Sequence, residues 1–169
     1  MSSNERVWPA ADAHDELRLM VEFLTFLRLT AVSKVEGLSW EDASATPIPT
    51  SPVVSALGVL RHLTAVERWW LSIEVGGAEL PSLWGADADA SWRLHEGDTV
   101  GSVVDEYRAE WERSARALEG LGPDDRTRGD HAGNGRTVRW VLAHLVQETG
   151  RHVGHLDFLR ELADGGKGE

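Results

Sequence analysis

Leu17, Met20, Leu24, Leu27 and Ala31 recur at intervals of three or four residues, the spacing of an α-helix with one apolar side. The pattern runs over about 13–37, where Gly37 supplies a stop. Three more segments read the same way. One opens at Ser51–Pro52, covers about 52–75 and ends at Gly76–Gly77. Another spans about 99–119 before Gly120, and the last spans about 137–163 before the polar tail "ADGGKGE". No stretch keeps the two-residue period of a strand; only a short piece near Arg93–His95 could pair, and weakly. Long amphipathic helices must bury their apolar sides on one another. The expected fold is therefore all-α, a four-helix bundle in a single domain over 1–169. The stretch "LSWEDASATPIPTSP" reads as a loop, because prolines and small polar residues crowd its second half. The connection 78–98, with Pro81, Trp84 and Trp92, has no clear period and is too long for a tight hairpin, so a crossover is expected there.

The 169 residues are enough for a substantial core. A net charge of -11 without a Lys/Arg cluster argues against nucleic acid or an anionic membrane as partner. No apolar run is long enough to span a bilayer, and the N-terminus lacks the basic-then-apolar layout of a signal peptide, so a cytoplasmic location is expected. Cysteine is absent, which excludes disulfides, thiolate-bound zinc and a cysteine nucleophile. Any thiol chemistry needs a thiol from outside. The eight tryptophans add apolar area or line a pocket, and with the long helices they make a homodimer one possible assembly.

The last helical segment holds His144, Glu148, His152 and His155. At about 100° per residue they fall near 0°, 40°, 80° and 20°, one narrow polar stripe. Leu142, Leu145, Val146, Val153, Leu156 and Leu159 surround it. Such a stripe is either a polar face or a set of metal ligands, since buried histidine and glutamate need partners. Glu148 and His152, one turn apart, suit two ligands of one ion. A third ligand must come from another helix, and His62 in "VLRHLTAVERWW", set among Leu60, Leu63 and Val66, is the best candidate. His14, His95 and His131 lie in or near polar segments and read as solvated, as does the loop "RTRGDHAGNGR". The pair Trp69–Trp70 reads as core or interface.

The motifs "HLxxVExxW" and "RWVLxHLxxExxRHxGHxDxLRE", with "GLSWEDASATPIPTSPVVSALGVLRHLTAVERWW" and "EYRAEWERS", resemble the DinB-like metal-binding four-helix-bundle superfamily. Within it the chain looks most like the mini-circle protein branch. It is also similar to the N-terminal domain of the mycothiol-dependent maleylpyruvate isomerase; that enzyme carries a further C-terminal domain, whereas this sequence ends just after the last helix. The resemblance implies an antiparallel bundle with an unusual connection between helices two and three. It implies one metal ligand on helix two and two on helix four, which carry over to His62, Glu148 and His152. His144 and His155 match recurrent positions outside that ligand set. They, Arg151, Trp84 and Trp92 are expected beside the metal or facing substrate.

Three protein ligands leave an open coordination position, as in catalytic zinc sites. The expected cofactor is a divalent metal, zinc first, with nickel or iron also accepting these ligands. The resemblance implies a low-molecular-weight thiol, mycothiol, as cosubstrate. The leading expectation is thus a metal-dependent enzyme that activates the thiol for S-transfer to, or isomerisation of, a small electrophile. Two others stand beside it: a metal-dependent hydrolase or lyase using bound water, and a non-enzymatic metal or small-molecule binding protein.

Overall fold

A computed structural model describes residues 6–85, 87, 89–129 and 135–167. Its elements are α1 (Glu16–Val35), α2 (Trp40–Ser44), α3 (Ala56–Glu67), a π-helical segment (Arg68–Val75), a 3-10 turn (Ala90–Trp92), α4 (Val100–Leu118) and α5 (Val138–Asp164). The all-α expectation is borne out. Among the described residues there is no strand, only one isolated antiparallel bridge between Arg126 and Thr137. The piece at Arg93–His95 forms no strand pairing among the described residues; Arg93 instead bonds the Asp87 carboxylate with two N–H groups at 2.8 Å. Among the described residues no helix is long and apolar enough to cross a membrane.

Caps explain where the helices begin. Asp15 accepts from Arg18 N at 3.0 Å, and Thr99 and Ser102 cap α4 reciprocally. Two boundaries differ from the sequence reading. The stretch read as a loop after α1 contains α2, because Ser39 accepts from Asp42 N at 3.1 Å and so starts a helical turn. α3 begins later than Ser51–Pro52. Its N-cap is Ser55, which accepts from Gly58 N at 2.9 Å, while Pro52 lies in the preceding turn.

A third difference is in kind. The helix of α3 does not continue as α to Val75; it widens at Arg68, and Gly76 N reaches back five residues to Leu71 O at 2.8 Å. No local sequence feature announces this. The loop after α4 docks on the end of the widened segment through Gly129 N and Glu74 O at 2.8 Å, so this part of "RTRGDHAGNGR" is anchored. His131 lies outside the described residues.

Two apolar clusters form the core. One joins Ala31, Val35, Leu57, Leu60, Tyr107 and Leu156; the other joins Leu24, Val66, Leu71, Val141, Leu142 and Leu145. α1 lies along α5, tied near one end by Glu16 and Arg139 and near the other by Lys34 and Asp157. Those two pairs set α1 and α5 in the same direction. α3 runs the same way as α4, since Arg61 meets Glu106 and, further on, Ser72 meets Glu110.

A buried polar layer lies beside these clusters. Arg28 Nε and Nη2 donate to the Glu67 carboxylate at 2.7 and 2.5 Å, and Ser114 adds a bond at 3.2 Å. The Glu110 carboxylate accepts from Ser72 at 2.5 Å, Arg113 at 2.9 Å and Arg68 at 3.1 Å. Both glutamates are fully buried, and burial without such partners would be prohibitive.

Candidate metal centre

His62 sits one turn beyond Gly58 in α3, with Leu63 and Val66 packed into the core after it. Glu148 and His152 sit one turn apart in the middle of α5, after Leu145 of one apolar cluster and before Val153 of the other. Packing of α3 on α5 brings the three together. One ligand atom from each lies within 4.8 Å of the others. Glu148 Oε1 is 3.1 Å from His152 Nε2 and 3.7 Å from His62 Nε2. Both histidines are buried, and the Glu148 side chain is 15% exposed.

The surroundings come from two elements. The connection after the π segment supplies Trp92, stacked on the His62 ring at 4.0 Å and 10°, and Trp84, edge-on to it at 5.5 Å. It also supplies Ser91, whose Oγ is 3.0 Å from His62 Nδ1. α5 adds His155, whose Nδ1 is 3.2 Å from His152 Nδ1, and Arg151, whose Nη1 is 3.7 Å from Glu148 Oε2. The outer two are open to solvent.

Burial pushes the His62 imidazolium pKa down to about 4, with the charge of His152 adding to the effect. Burial also lowers that of His152. Burial alone would raise Glu148, but its hydrogen bond with His152 and the nearby cations outweigh this and hold it low. At neutral pH the trio is two neutral imidazoles and a carboxylate, the protonation states that bind a cation. The spacing fits as well. Bonds of about 2.0–2.1 Å in a tetrahedron place donor atoms roughly 3.3 Å apart; Glu148 lies 3.1 and 3.7 Å from the two imidazoles, which are within 4.8 Å of each other. The donor set therefore fits a divalent metal.

Residues 19–165 match the family described as mycothiol S-transferase. The chain belongs to the mycothiol S-transferase family. This family lies within the DinB-like superfamily, in agreement with the resemblance drawn from the helix-two and helix-four motifs. A search of the curated proteins finds no match.

In this member of the mycothiol S-transferase family, the other histidines and tryptophans named from the sequence lie at different distances from the trio. Trp84, Trp92 and His155 touch the trio. His144 does not; it stacks on Trp140 at 5.3 Å and meets Trp70 edge-on at 5.0 Å. Arg136 lies over both indoles, at 4.5 Å from Trp140 and 5.0 Å from Trp70. His14 is exposed, and His95 is exposed but beside Arg61, 2.8 Å from Nη2. Sequence reasoning missed Ser91, Arg136 and the Arg28–Glu67 pair. Serine in a segment without periodicity carries no signal, and a charged residue inside an amphipathic helix reads as its solvated face.

Proposed function

We propose that this protein is a divalent-metal-dependent thiol S-transferase with His62, Glu148 and His152 as ligands, zinc as the metal and mycothiol as the thiol. One observation carries the reading: two neutral imidazoles and a carboxylate converge on one point in a chain of the mycothiol S-transferase family. In this reading the chain 1–169 is one domain, a DinB-like four-helix bundle of α1, α3, α4 and α5. The shared direction of α3 and α4 supports a crossover through the connection 78–98.

When bound, the metal supplies a Lewis-acidic open position that favours the thiolate form of a thiol at neutral pH. The protein does the rest. Glu148 contributes the one negative charge of the ligand set, so a divalent ion keeps a net positive charge. Trp92 and Trp84 wall the His62 side and keep water from it. Arg151, held near Glu148, and the exposed His155 stand at the open side, where thiol and electrophile enter. In the transfer, the sulfur forms a bond to carbon, the thiol proton is lost to solvent and the electrophile's leaving group departs as an anion.

The test is turnover of a bimane electrophile by metal-loaded protein with mycothiol, without thiol, and after chelation. Product that requires both thiol and metal supports the reading. Thiol-independent turnover points to a hydrolase instead, and no metal in the wild type even after reconstitution removes the reading altogether.

A further inference from the structure

We propose that Ser91 is a positioning residue for His62: its hydroxyl accepts a hydrogen bond from Nδ1–H and thereby leaves the Nε2 lone pair facing Glu148 and His152. The inference rests on the metal-site reading above and goes beyond it, to what sets the ring orientation of one ligand.

The contact is short and dry. Ser91 Oγ lies 3.0 Å from Nδ1, with Ser91 4% and His62 7% exposed. Nε2 points the other way, 3.7 Å from Glu148 Oε1, beyond hydrogen-bond reach. Ser91 thus stands within hydrogen-bond distance of Nδ1, the nitrogen that a metal at the trio would not use.

Stacking cannot do this job. Trp92 lies flat on the imidazole at 4.0 Å and fixes the ring's plane. An indole face does not distinguish Nδ1 from Cδ2, so it permits a half-turn of the ring about Cβ–Cγ. The hydroxyl distinguishes them, because only nitrogen can share a hydrogen bond with it. A hydroxyl can donate or accept, so it fixes the ring's orientation; with Nε2 turned to the trio it accepts from Nδ1–H, and outer hydrogen bonds of this kind support a metal-binding histidine.

The fold holds Ser91 firmly in place. The turn Ala90–Trp92 packs on α3, closed by Trp92 N and Asp89 O at 3.0 Å. It comes so near that a Cβ on Gly58 would lie 2.9 Å from Trp92 O and 2.8 Å from Val53 O. Gly58 is one turn before His62, so the glycine permits the approach that puts Ser91 against the ring.

The test compares wild type with S91A for Zn2+ affinity, by competition with a chromophoric chelator, and for solvent exchange of the His62 Nδ1–H proton in the Zn2+-loaded protein, by nitrogen-15 NMR of the ring. S91A is expected to bind Zn2+ about 10- to 100-fold more weakly and to exchange that proton faster than wild type. If S91A folds poorly, S91T and S91V, equal in bulk, carry the same comparison, and S91T should bind more tightly than S91V. Unchanged affinity or unchanged exchange, with wild type binding Zn2+, overturns the role of Ser91 alone. A wild type that binds no Zn2+ overturns the metal site and this role together.

Discussion

His62 is touched by a neighbour on each side: an indole face, a serine hydroxyl and the Glu148–His152 pair. Removing one ligand should therefore abolish binding rather than shift it to another group. We expect wild type to retain one metal per chain and His152→Ala to lose it, measured by elemental analysis of untagged protein. The pH dependence follows from the same residues. The folded-state pKa values of His62 and His152 lie below the ordinary value of about 6.5. Glu148 is lowered too. The unfolded chain then binds more protons than the folded one in mild acid. Stability from these groups is present above about pH 6.5 and is lost as pH falls toward 4, the value that burial gives His62. His62 contributes a slope approaching about 1.4 kcal/mol per pH unit in that window, and His152 acts in the same direction. Urea unfolding of the metal-free protein between pH 7 and pH 4 checks this; a flat profile contradicts it, and His62→Gln should flatten it in part.

Among the elements, α1, α3 and α4 are joined by charge as well as by apolar contact. Arg28 reaches Glu67 from α1, and Ser114 reaches the same carboxylate from α4. Removing one member of a buried pair leaves the other unpaired, at a cost of about 3–5 kcal/mol. Arg28→Ala should accordingly lower the melting temperature by roughly 6–20 °C. Replacing both residues with apolar ones of similar size should cost less than the single change. Equal losses would mean that packing, not the unpaired charge, sets the effect. The turn that carries Ser91 and Trp92 is a second such joint. Gly58→Ala forces a Cβ against Trp92 O and Val53 O, both backbone atoms, so α3 and the turn must separate. Lower stability and loss of near-ultraviolet dichroism from the tryptophan beside His62 are expected together.

For the whole molecule, the proposed metal site would link metal binding to folding, because His62, Glu148 and His152 come from two helices that meet only in the folded chain. At a free Zn2+ concentration about 100-fold above Kd, binding should stabilise the protein by about 2.7 kcal/mol. That corresponds to roughly 5–10 °C in melting temperature. A chelator should reverse the shift, and His152→Ala should show none. The belt of Trp70, Trp140, His144 and Arg136 continues the α5 stripe away from the trio, so its loss should leave that shift intact.

The sequence by itself determined the helices and half of the centre. Apolar spacing marks α1, α3, α4 and α5, because a helix that buries one side must repeat every three to four residues. Glu148 and His152 were legible as a pair, because an interval of four on one helix fixes their proximity without any tertiary information. The absence of cysteine was equally direct. Only the tertiary structure decided the rest. The sequence could name His62 as a candidate; its approach to the pair depends on how α3 packs along α5, which is set by many small contacts spread over both helices. The widening at Arg68 has no local cause in the residues that adopt it. Ser91 lies 29 residues from His62 in a segment without period, and nothing in the sequence pairs Glu67 with Arg28, 39 residues away on another helix. Their roles exist because folding removes water from them and leaves each other as partners.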